Sequence, residues 1–136
     1  VGGTTRKLSL VFSAGAFGGL LNSVAVWAFG AAGVASALGV KIAPELTPEW
    51  LYPRLVWGGI WGVLFLIPVR ISHFARGFLW SLGPSAVQLF VVFPVKAQKG
   101  MMGLELGTLV PLFVLFYNAV WGVAAAYWLK HSGETG

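Results

Sequence analysis

From Thr108 to Lys130 the chain reads TLVPLFVLFYNAVWGVAAAYWLK, 23 residues with no charge before the last. At about 1.5 Å per residue, a helix of this length crosses the hydrocarbon core of a bilayer. Asn118 lies near its middle. An amide facing lipid there has no water to bond, so it must look inward toward other helices.

The rest of the chain agrees with a membrane setting. Of 136 residues, 57% are hydrophobic and only 10% charged, against about 25% charged in soluble domains. Mean hydropathy is +0.82. The length suits one integral membrane domain, residues 1–136, with four crossings at about 8–30, 51–69, 77–95 and 108–130. The fold class predicted is therefore all-α: a polytopic four-helix transmembrane bundle with re-entrant or interfacial segments on its outer side.

Net charge is +5. The basic residues sit at the ends of apolar runs, which favours membrane lipid as a partner and not nucleic acid. Cysteine is absent, which removes disulfides, thiolate metal sites and cysteine nucleophiles. His73 and His131 lie in separate flanks, and the sequence has no Asp. No catalytic set, metal ligands or cofactor site is predicted, and no enzyme.

Arg6 and Lys7 precede the first apolar run, which exceeds the core of a secretory signal and reads as a retained helix. Gly15 and Gly19 fall at four-residue spacing with Ser23, and Ala14, Gly18 and Asn22 form the adjacent row. Small residues in such rows let helix backbones approach closely. Gly58 and Gly62 give the second crossing a similar pair. Gly122 lies on the fourth crossing, in a row with Asn118 and Ala126 expected to meet the Ala14 row. Thr47-Pro48-Glu49 reads as a cap, a first-turn proline and an acid at the positive end of a helix. Arg70–Arg76 reads as a basic turn. Gly83-Pro84 predicts a kink in the third crossing. Thr108 reads as a cap, with Pro111 in the first turn.

Three amides, Asn22, Gln88 and Asn118, fall at similar depth, with Ser23, Ser85 and Tyr117 beside them. They form the candidate midplane polar site. Its bland reading is interhelical hydrogen bonding; its functional reading is a solute or ion site beside a proline-broken helix. No ionisable residue is expected near the centre of a crossing, which argues against ion coupling.

Shifting the chain by 64 positions lays Gly19 on Gly83, Gly39 on Gly103, and Val56-Trp57-Gly58 on Val120-Trp121-Gly122. Each half would be a helix, a long outer connection and a second helix, giving two parallel repeats. Lys and Arg counts of five against four favour both termini in the cytoplasm, with the bacterial inner membrane as the expected location. The leading functional expectation is an accessory or scaffold protein that self-associates or joins a larger membrane complex. The alternative is a small oligomeric channel or facilitator for a neutral solute or small anion.

Overall fold

The computed structural model describes residues 2–67, 70–96 and 99–132. The expected end of the second crossing at Val69 and the polar tail beyond Ser132 lie outside the described residues. The chain is all-helical. α1 spans Gly2–Ala31, the short α2 Val34–Ala37, α3 Pro48–Trp61, α4 His73–Val87 and α5 Val110–His131. Gly62–Leu66 continues α3 as a 3-10 turn, and Gln88–Lys96 continues α4 as a π-helix. A second 3-10 segment, Met101–Leu106, precedes α5.

Among the described residues, three helical stretches are long and apolar enough to span a bilayer: Gly3–Ala31, His73–Lys96 and Val110–His131. With the composition, they define an integral membrane protein of the helical type. The second expected crossing is 14 residues of α-helix followed by the 3-10 turn.

Local chemistry sets most helix ends. The Thr47 hydroxyl accepts from the Trp50 amide at 3.2 Å, with Pro48 and Glu49 in the first turn. The Ser72 hydroxyl accepts from the Ala75 amide, so α4 starts at His73 and not after Arg76. Arg76 is thereby carried into the helix, buried, with its guanidinium over the Phe65 ring. Thr108 is not the cap of α5. It lies in a turn, and Leu109 precedes the helix without a side-chain bond. α4 runs through Pro84 and changes form beyond it, at the π-helix that holds Pro94. Pro94 has no N–H to give, and its ring would strike the carbonyl four residues back in an α-helix. The wider π turn relieves that clash.

Glycine pairs bring the helices to backbone contact. α1 and α3 run antiparallel: a Cβ on Gly15 would meet the Gly58 carbonyl, one on Gly19 the Arg54 carbonyl at 2.8 Å, and one on Gly62 the Val11 carbonyl. α4 and α5 run antiparallel through Gly77 and Gly122, whose added Cβ atoms would each strike the other's carbonyl. Gly122 and Ala126 therefore face α4 and not α1. The α1 row meets Trp121 instead, whose carbonyl and ring lie against Gly18. The bulky indole occupies the α1 side of α5, leaving the slim side for α4.

The two hairpins repeat each other's contacts. Gly58 and Gly122 correspond at the shift of 64, as do Gly39 and Gly103, both in the left-handed region at φ 76 and 71. For the first helix of each hairpin the register is two residues shorter. It carries Gly15 onto Gly77 and Ser23 onto Ser85, whereas Gly19 and Gly83 have different neighbours. Between hairpins the symmetry is broken. α1 and α5 pack along their length, but α3 and α4 have no comparable contact. They meet where Leu64 and Trp61 approach Gly83.

At the end opposite the termini, the two connections pack on one another. The Lys41 amide donates to the Leu106 carbonyl at 2.8 Å, and Gly107 lies against the Gly39 carbonyl. Val40 and Val110 are fully covered there. The other end is closed by Val11, Phe65, Trp121, Ala125 and Leu129.

Candidate functional site

Below the packed connections, α1, α3, α4 and α5 each turn polar side chains to one place. On α1, the Ser23 hydroxyl donates to the Gly19 carbonyl, leaving its lone pairs for Arg54 Nε at 2.8 Å. On α4, the Ser85 hydroxyl donates to the Ser81 carbonyl and accepts from Asn118 Nδ2 at 3.1 Å. These two arrangements are equivalent in the two hairpins: Arg54 in one stands where Asn118 stands in the other.

The amides form a directed chain. Arg54 Nη2 donates to Asn22 Oδ1 at 2.6 Å. Asn22 Nδ2 donates to the Tyr117 carbonyl at 2.6 Å and to Asn118 Oδ1 at 3.4 Å. Asn118 Nδ2 donates to Gln88 Oε1 at 3.3 Å. A guanidinium only donates and a main-chain carbonyl only accepts, so the orientation of Asn22 is fixed. That orientation fixes Asn118, which in turn fixes Gln88. Every amide oxygen in the chain is used. Arg54 Nη1 and Gln88 Nε2 have no hydrogen bond to a described residue, and the buried Tyr117 hydroxyl, which can donate or accept, has no partner among the described residues. Asn22 and Asn118 are each 8% exposed.

Two cavities share Asn22, Arg54, Gln88 and Asn118 as their common wall. One, of about 420 Å³, opens under the packed connections and is also lined by Lys41, Trp50 and Tyr117. The other, of about 510 Å³, lies in the slot between α3 and α4, with Trp57, Trp61 and Lys96 on its sides. Among the described residues, no acidic one lines either cavity. Among the described residues no carboxylate pairs with Arg54; its guanidinium lies 4.6 Å from the centroid of the Trp50 ring. The site is thus cationic and donor-rich. No group of His, Asp and Glu suited to a metal ion occurs among the described residues.

All six residues of the sequence-derived polar site meet here. Tyr117 joins through its carbonyl and not its hydroxyl. The expectation that no ionisable group lies near the centre of a crossing is corrected by Arg54. It sits within two turns of the start of α3, yet its long side chain reaches Asn22. The signal was present: Arg54, Gly58 and Gly62 fall at four-residue spacing, placing Arg54 on the face that packs against α1. Lys41 and Lys96 at the cavities were likewise legible only as flanking charges.

No protein-family model matches the chain, and comparison with curated proteins and with solved structures finds no match.

Proposed function

We propose that this protein takes up an anionic group into an intramembrane site at Arg54, Gln88 and the Asn22–Asn118 pair, as a facilitator of anion movement would. The single observation that carries this reading is the directed amide chain: each amide oxygen already accepts a bond, and unbonded N–H groups and positive charge are left at the wall of two cavities. A guanidinium bonded to neutral oxygens, with no acid beside it, retains the capacity to bind a phosphate, carboxylate or halide. The low dielectric strengthens that attraction.

The scaffold reading rests on glycine rows, abundant aromatics and a core without ionisable groups, and it expects a closed, dry midplane. The glycines are used inside the chain, Gly15 and Gly19 against α3 and Gly122 against α4, and the centre is flanked by cavities. In our reading the chain crosses the membrane four times, with α3 and its 3-10 turn as the second passage. The termini lie in the cytoplasm and the cavity below Lys41 opens from the other side. Cysteines replacing Ser72 and Thr47 test this: an impermeant thiol reagent added to intact cells should label only the second.

Function is tested by titrating the purified protein with inorganic phosphate and with thiocyanate while following tryptophan emission, since Trp50 stacks on Arg54. A saturable change should appear and be lost in Arg54→Gln. A signal that stays linear in anion, or saturates equally in Arg54→Gln, would overturn the reading.

A further inference from the structure

We infer that the slot between α3 and α4 holds an anionic membrane lipid, its phosphate between Lys96 and Arg54 and an acyl chain against Trp57, Trp61 and Val87. The inference rests on the proposed anion site and names the source of the anion.

Three observations carry it. First, the slot is the place where the repeat is broken. The contact equivalent to the α1–α5 interface would join α4 to α3, and there the helices stand apart around a cavity of about 510 Å³. Trp121, which fills the α1–α5 side, is 3% exposed and donates its indole N–H to the Gly15 and Gly58 carbonyls. Its counterpart Trp57 is 60% exposed and lines the open slot. A groove with this opening faces the lipid of a bilayer, so hydrocarbon has direct entry.

Second, the slot is chemically divided. Trp57, Trp61, Val87 and Val92 make an apolar wall, and Arg54, Gln88 and Lys96 make a donor-rich end with no acid among the described residues. An amphiphile with one negative end and one apolar end matches both parts, whereas a free anion uses only the second.

Third, the depth suits a headgroup. Arg54 lies six residues into α3, about 9 Å below the start of that helix, and Lys96 ends the π-helix at the same end of the bundle. A phosphate drawn slightly inward from one leaflet reaches both cations, and a cation at that depth gains by pulling it there.

The test is native mass spectrometry of the full chain released from bilayers of equal phosphatidylglycerol and phosphatidylcholine. Wild type should retain phosphatidylglycerol over phosphatidylcholine by about 30-fold, the effect of two nearby cations. Arg6→Gln makes the same change in net charge far from the slot and should keep the preference. Arg54→Gln, which leaves Lys96 in place, should cut it about fivefold. Val87→Phe fills the slot without touching a charge and should lose the lipid while preserving the saturable phosphate titration of tryptophan emission. Equal retention of the two lipids, or a preference that survives both Arg54→Gln and Val87→Phe undiminished, overturns the inference. If the phosphate titration holds in wild type while lipid preference is absent, the lipid assignment falls and the anion site stands; if both are absent, both fall.

Discussion

Arginine cannot accept a hydrogen bond, and that property sets the direction of every amide around Arg54. Asn22 must offer its oxygen, Asn118 must do the same to Asn22, and Gln88 to Asn118. The central link is Asn118, whose side chain makes three hydrogen bonds. Asn118→Leu would leave Gln88 free to rotate and remove one of two acceptors from Asn22 Nδ2. Such bonds average about 0.6 kcal/mol each inside membranes, so thermal unfolding in mild detergent should show a loss of about 1–2 kcal/mol. Anion titration should weaken with it, because Gln88 loses the partner that turns its N–H groups to the cavity. A melting curve and titration both equal to wild type would mean that the chain of amides orders nothing.

At the scale of the helices, backbone contact between glycines is the dominant constraint. Gly15→Leu would push into the Gly58 carbonyl and Gly122→Leu into the Gly77 carbonyl, where a main-chain atom cannot step aside. Each should cost at least about 3 kcal/mol, read as a lost or strongly lowered melting transition. Gly3→Leu meets nothing within 4 Å and should stay within about 0.5 kcal/mol. Equal melting temperatures for the three variants would remove the glycine pairs from the account.

Much of this was legible in the sequence. The small-residue rows of α1 and α3 mark their shared face, the Thr47 cap marks the start of α3, and the depth of Asn118 requires an inward side chain. Other features depended on non-local geometry. Trp121, not Gly122, occupies the α1 side because two neighbouring helices compete for one slim face. The packing of the two connections depends on a main-chain bond from Lys41 to Leu106, which no side chain announces. Arg54 reads in the sequence as a flanking charge because its backbone lies near a helix start, although its side chain extends inward.

The whole molecule is two similar hairpins joined tightly on one side and left open on the other. One end is closed by the cluster of Phe65, Trp121 and Leu129, and the other gives access to the cavity below Lys41. Charge selection at that cavity is directly measurable, because the protein has no native cysteine. Val26 lines the cavity one turn from Asn22 and is 5% exposed. In Val26→Cys, the rates of modification by an anionic and a cationic methanethiosulfonate of similar size should differ, the anionic reagent reacting faster by roughly tenfold or more. Adding Arg54→Gln should collapse that ratio. Equal rates for the two reagents, or a faster cationic one, in protein that retains Arg54 would contradict the account.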